Sequence, residues 1–256
     1  LLKFIKNNFE VTTFANIREN TKKPKMILSF DDGYKDFIDI ACPFLYKYGI
    51  KVNQNIIPSC IEDQLPPLNV LAQDFVGKAP VELVKKLKIP DFKDLSSDKL
   101  GLRISNFIKH RPFEQQEVIR NILLPQFFLW DKFTPTPMMS KSEILQIASI
   151  HEIGIHSYSH ATMEYESEKY LINDLIKCQN YFKNLFDCSF SIYAFPNGKC
   201  TKKQIEIVKS YGVEHVLVLE DDFDNGVSPH HRFTFDCNTL NEIKFKAVGS
   251  FKKPEL

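Results

Sequence analysis

Met26-Ile27-Leu28-Ser29-Phe30 is a short, mostly apolar run of the kind that suits a parallel strand buried on both faces. Over 36–48, Phe37, Ile40, Ala41, Phe44, Leu45 and Tyr48 recur at helical spacing despite Pro43, and Gly49 supplies the stop. A second strand is predicted over 50–57. From Pro58 to Pro137 prolines punctuate short amphipathic pieces such as VELVKKL, LGLRISNFIKH and QEVIRNILLPQFF, without intervening strands. That stretch, 58–137, reads as a helical insertion. Alternation resumes with a helix over 141–150, introduced by Ser140 and Glu143 as a capping box, then a strand Glu152–His156 and a long helix near 166–186. Strands over 191–196 and 212–219 flank a helix at 201–211, and a strand at 231–236 with a helix at 239–249 closes the chain. Strand-helix alternation implies an α/β fold with a mainly parallel sheet, open or closed into a barrel. A chain of 256 residues has the length of one such barrel, so 1–256 is expected to be a single domain containing the insertion.

Composition narrows the class. Hydrophobic residues make up 43% and charged residues 25%, as in globular proteins that fold alone. With 33 basic against 32 acidic side chains there is no net field to draw nucleic acid or an anionic surface, so no nucleic-acid partner is expected. Nothing approaches the roughly 18 apolar residues of a membrane span, so no transmembrane segment is expected. The opening LLKFIKNNFE reads as neither a leader core nor a cleavage site. Six cysteines occur without any C-x-x-C, which reads as core thiols and favours a reducing, cytoplasmic compartment.

The chemistry gathers where α/β proteins bind ligands, at the carboxyl ends of predicted strands. The first cluster is Ser29-Phe30-Asp31-Asp32-Gly33-Tyr34, two adjacent carboxylates with a glycine that permits a sharp turn. One aspartate is free to bind a metal while the other faces substrate as a base; an ordinary solvated Asp-Asp-Gly turn is the plain alternative. The second is His156-Ser157-Tyr158-Ser159-His160, whose imidazoles, four apart, fall on one face of a helical turn and suit a single zinc ion. Two imidazoles and a strand-end carboxylate leave positions open for water and substrate, as a catalytic site needs. The third is Ala194-Phe195-Pro196-Asn197-Gly198, a rigid turn whose amide is able to hold a developing oxyanion, or simply a loop.

In this order the clusters resemble the polysaccharide deacetylase family, also called the NodB homology domain or carbohydrate esterase family four. LSFDDGY is similar to its T-F-D-D-G, HSYSH after Glu152-Ile153-Gly154 to its H-[ST]-x-x-H, and AFPNG to its third motif. The resemblance covers about 26–57 and 138–236. It implies a mainly parallel sheet closed as a distorted (β/α) barrel, a divalent metal, most often zinc, and an acetylated glycan as substrate. It implies Asp31 as general base and Asp32, His156 and His160 as metal ligands. It assigns the amide of Asn197 to the oxyanion, and it makes Tyr34, Phe195 and Pro196 the expected substrate contacts. Two departures stand out: Ala194 occupies the place of the arginine that orients the base in many relatives, leaving Arg232 and Lys199 as candidates, and the L-x-H that carries the catalytic acid is absent. His230 and His231 are its nearest matches, while His215, inside an apolar strand, reads as a core histidine. The implied activity is removal of acetyl groups from N-acetylated sugars. O-deacetylation and a non-catalytic glycan-binding role are the alternatives.

Overall fold

The computed structural model describes residues 1–87, 96–220, 224 and 226–249. Its strands are β1 (Glu10–Val11), β2 (Lys25–Met26), β3 (Ser29–Phe30), β4 (Asn53–Ile56), β5 (Glu152–Ile155), β6 (Ile192–Ala194), β7 (His215–Leu219) and β8 (His230–Arg232). Its helices are α1 (Leu2–Asn8), α2 (Cys42–Tyr48), α3 (Pro58–Asp63), α4 (Leu68–Lys78), α5 (Val81–Lys86), α6 (Ser97–Lys109), α7 (Phe113–Phe128), α8 (Lys141–Ala148), α9 (Glu168–Phe186), α10 (Lys202–Ser210) and α11 (Leu240–Ala247).

Strands β3 to β8 form one sheet in chain order, every neighbouring pair parallel. Strands laid down in sequence in one direction wind a sheet singly, as in a barrel, rather than from a central switch point. The two edge strands, β3 and β8, are five steps apart, about 24 Å at the usual strand spacing if the sheet were flat. Yet the Arg232 guanidinium on β8 touches the Asp31 carboxylate just after β3 at 2.9 Å. Only a strongly curled sheet brings its edges that close, and this is the distorted (β/α) barrel expected from the sequence.

The run expected as one strand over 26–30 is two. Lys25–Met26 pairs with Glu10–Val11 in a small separate sheet, and the chain then changes partner so that Ser29–Phe30 pairs with β4. The helix over 36–48 opens as a π-turn at Phe37–Ala41, and Gly49, at φ 61°, ends it in the left-handed conformation that a glycine adopts without strain. Ser140 and Glu143 form the expected capping box of α8.

Among the described residues the core has two large centres and a small third one of Phe14, Ile192, Ala194 and Leu217. The first lies between the sheet and its covering helices and includes Ile56, Ile155, Leu171, Tyr193 and Val216. The second belongs to the 58–137 segment, where Leu71, Phe75, Ile104, Ile108 and Phe127 join α4, α6 and α7, with Trp130 packed against them. Phe75, 1% exposed, sits 4.6 Å from the Phe127 ring and 5.3 Å from Phe133. Truncating it opens a cavity on three sides, so Phe75→Ala is expected to lower unfolding free energy in urea by about 3–5 kcal/mol. A shift under about 1 kcal/mol would mean that these helices repack around the void.

Candidate functional site

The ends of β3, β5 and β6 bring the three polar clusters together. After Phe30 the chain passes through Asp31 to Asp32 (φ 74°) and Gly33 (φ 86°), and this left-handed pair sends neighbouring carboxylates to different partners. A strap at the end of the 58–137 segment and just past it fixes the turn, with Met139 N–H donating to the Gly33 carbonyl and Lys35 N–H to that of Pro137, both at 2.9 Å.

Asp32 faces the imidazoles. Its Oδ1 lies 3.5 Å from Nε2 of His156 and 3.5 Å from Nε2 of His160, and the three ligand atoms fall within 4.8 Å of one another. The His156–His160 segment is not the helical turn expected from its spacing: Ser157 and His160 are left-handed (φ 61° and 60°), and the rings converge through a loop. Its organiser is Asp174, a buried acid on the apolar stripe of α9 between Leu171, Leu175 and Cys178. The carboxylate accepts from Tyr158 N–H at 3.0 Å and from the Ser157 hydroxyl at 3.0 Å. Burial pushes the Asp174 carboxyl up, while those hydrogen bonds pull it down.

The third cluster supports the second. His156 Nδ1–H donates to the Ala194 carbonyl at 2.8 Å, which leaves the Nε2 lone pair facing Asp32. Asn197, left-handed at φ 55°, donates its side-chain amide to Thr162 Oγ1 at 2.9 Å and ties its turn to the histidine loop. Burial pushes the His160 imidazole down to about 4, against the attraction of Asp32, so the ring is neutral near pH 7. Asp32 Oδ1 is buried and accepts no hydrogen bond. A buried carboxylate oxygen facing two imidazole nitrogens beyond hydrogen-bonding distance is stabilised by a cation held among them, and two nitrogens with one oxygen suit zinc or a related first-row ion. The residues fit a divalent metal.

Asp31 is held apart from this group. Arg232 grips it bidentately, Nη1 to Oδ1 and Nη2 to Oδ2 at 2.9 Å each, and Asn55 donates to Oδ1 at 2.8 Å. Burial works to raise the Asp31 carboxyl, but Arg232, His156 and Asn55 together hold it well below the usual carboxylate range. Of the two candidates for orienting Asp31, the structure brings Arg232 to it and leaves Lys199 exposed. Tyr34 stands beside Asp32, and burial with that neighbouring charge pushes its phenol far up.

Other expected residues are placed elsewhere. Phe195 is fully buried, 5.1 Å from the Tyr193 ring, and Pro196 is buried too. The alternation of β6 sends Phe195 into the core, so the expected substrate contact at that residue is corrected to a packing role. His230 is 2% exposed with both ring nitrogens engaged, Nδ1 with Asp224 at 2.7 Å and Nε2 with His215 at 3.0 Å. His231 lies on the strand face opposite Arg232, its Nδ1 3.3 Å from Glu220. Neither is brought to the Asp32 cluster by these contacts. His215 proves to be a partner of His230, its ring tilted 33° to that of Phe14 at 5.2 Å. Sequence reading passed over Asn55, Asp174 and the Ala194 carbonyl. An acid on an apolar helix stripe and an N-Q-N run inside a strand were the available signals.

Fold and site define a singly wound α/β protein with an imidazole–carboxylate centre at its strand ends. The model of the polysaccharide deacetylase family matches residues 115–216, so over that stretch the chain is similar to the polysaccharide deacetylases. The match begins inside the 58–137 segment, so likeness reaches further into it than the motifs do. No curated protein gives a significant match in sequence. Among solved structures, the Streptococcus pyogenes deacetylase PplD is 14% identical with a TM-score of 0.55, over 91% of this chain and 76% of its own. A de-N-acetylase from Aggregatibacter actinomycetemcomitans is 13% identical at 0.55, over 95% and 86%. IcaB from Ammonifex degensii is 14% identical at 0.55, over 98% and 86%. At such identities these likenesses establish the fold.

Asp174→Ala leaves the Tyr158 amide and Ser157 hydroxyl unpaired in a buried place, so a stability loss of about 2–3 kcal/mol is expected in chemical denaturation. Amide exchange should quicken across 156–160 first. An unchanged exchange rate there would remove Asp174 from its organising role.

Proposed function

We propose that this chain is a metal-dependent hydrolase that removes acetyl groups from N-acetylated sugars of a poly- or oligosaccharide. One observation carries the reading: an Asp32–His156–His160 donor set lies directly beside a second carboxylate, Asp31, that is ionised and held separately. A structural metal site has no use for that second group, whereas a hydrolytic site needs a base next to its electrophile. A divalent ion held by Asp32, His156 and His160, zinc by preference, supplies Lewis acidity to an acetyl carbonyl and to water.

The protein's own groups do the rest. Asp31 accepts the proton of the attacking water. A carboxylate held so low is a weak base, adequate only for water already made acidic, and once protonated it is a strong acid able to hand that proton to the leaving nitrogen. The Asn197 amide is the candidate donor to the carbonyl oxygen as negative charge develops there. The N-acetyl preference draws support from the de-N-acetylase that shares the fold. Retention of donors and base together argues against a binding-only role.

Two measurements test the reading. His160→Ala is expected to lose bound metal, as determined by mass spectrometry after dialysis; metal content equal to the parent's would overturn the ligand assignment. Asp31→Asn should keep its metal and lose turnover by a factor on the order of a hundred or more in acetate release from chitooligosaccharides. Near-parent turnover would mean that Asp31 is not the base. A parent that cleaves acetyl esters and leaves acetamides intact would move the substrate to O-acetylated glycans.

A further inference from the structure

Strand β4 carries Asn53, Gln54 and Asn55 in succession, each fully buried. Three amides inside a central strand are costly unless their hydrogen bonds matter, and apolar residues are the usual occupants of such a strand. The side chain of Asn55 crosses the sheet interior towards the β3 end. Its Nδ2 donates to Asp31 Oδ1 at 2.8 Å and to Ser29 Oγ at 3.1 Å, while Ser29 Oγ also receives Arg232 Nη1 at 2.9 Å and donates to Asn53 Oδ1 at 2.7 Å. The neighbouring strand makes room for it. A Cβ on Gly154, the residue paired with Asn55 across β4 and β5, would lie 2.2 Å from Asn55 Oδ1, inside any tolerable contact. Gly154 has an ordinary backbone conformation, so no left-handed turn accounts for the glycine; the space it leaves is filled by the Asn55 carboxamide.

The two Asp31 oxygens are thereby made unequal. Oδ1 accepts from two donors, Asn55 Nδ2 and Arg232 Nη1, whereas Oδ2 accepts from Arg232 Nη2 and lies 3.9 Å from His156 Nε2, on the side of the metal-binding group. A carboxylate pinned by Arg232 alone is held along one edge and remains free to tilt about it; a third donor from a different strand removes that freedom. We infer that Asn55 is a positioning residue that commits Oδ1 of Asp31 to the sheet and presents Oδ2 as the oxygen that takes the proton, with Gly154 as its steric partner. The inference rests on the proposed role of Asp31 as base.

The experiment compares parent, Asn55→Ala, Gly154→Ala and the double variant for kcat and KM in acetate release from chitooligosaccharides and for bound metal after dialysis. Removing one hydrogen bond to a charged group is expected to lower kcat by about ten- to a hundredfold while KM and metal content stay within about twofold of the parent's. Gly154→Ala, which pushes the carboxamide aside, should reproduce that loss, and in the Asn55→Ala background its added cost should shrink to that of the remaining contact with Ile192, whose Cβ and Cγ2 a Gly154 Cβ meets at 3.0 Å. The inference is overturned if Asn55→Ala leaves kcat unchanged, if KM and metal content fall along with kcat, or if the two single losses simply multiply. Failure of both single variants to fold would assign Asn55 to the fold and equally overturn it. A parent that releases no acetate at all would sink the deacetylase reading and this inference together, whereas an active parent with an indifferent Asn55→Ala sinks only the latter.

Discussion

The contact on which most else depends is the two-point grip of Arg232 on Asp31. It joins residues 201 positions apart and spans the opening between the first and last strands of the curled sheet, where no backbone ladder runs. A cleft of about 860 Å³ lies along this opening, lined by Phe9, Phe14, Met26 and Phe235 from the terminal segments and reaching Asp31 and Arg232. In a fully closed barrel the edge strands would satisfy each other through peptide hydrogen bonds. Here side chains take over that task. A partly buried, bidentate, charge-assisted pair is among the stronger polar contacts available, and breaking it from one side leaves a half-buried charge without its partner.

That arrangement gives one carboxylate two duties. Asp31 anchors the seam and stands next to the candidate metal site, and in the role proposed for it the two demands pull its chemistry in opposite directions. A firm anchor wants a permanently ionised group, while an efficient general base wants a proton affinity near the working pH. The donors gathered on Asp31, Arg232 and Asn55, favour the ionised, anchoring form. In the proposed reaction such a residue would serve as a base only beside an electrophile strong enough to acidify water, so the seam contact and the fit of the neighbouring donors to a divalent metal would be linked properties of the same few atoms.

Local features were legible in the sequence and distant ones were not. Helix boundaries followed from spacing and caps: Ser140 with Glu143 and the Gly49 stop appear where the pattern put them. Asp32, His156 and His160 were legible because each sits in a short motif directly after a strand, so that alternation of strands and helices was enough to bring them to one end. A spacing of four, however, reads the same in a helix and in a tight loop, and the histidine segment is the latter. Arg232 was one candidate of two because nothing in a linear text says that the last strand curls back onto the first. Asn55 was passed over because its strand reads as a strand by length and flanks, and its amides acquire meaning only through Ser29 and Gly154 on neighbouring strands. Phe195 was misplaced for the same reason: the motif identifies the turn, but the pleat decides which residue faces inwards.

Of the six non-glycine residues with left-handed backbone among the described residues, Asp32, Ser157, His160 and Asn197 all lie in the three site loops. Each such residue stores on the order of 1–3 kcal/mol that the rest of the fold must offset. A selection for thermal tolerance alone would therefore find easy gains in these loops, by relaxing backbone that the helices behind it hold taut. Lineages under that pressure would drift towards sturdier proteins with blunted sites, and the four positions mark where resilience and chemistry compete for the same stretch of chain.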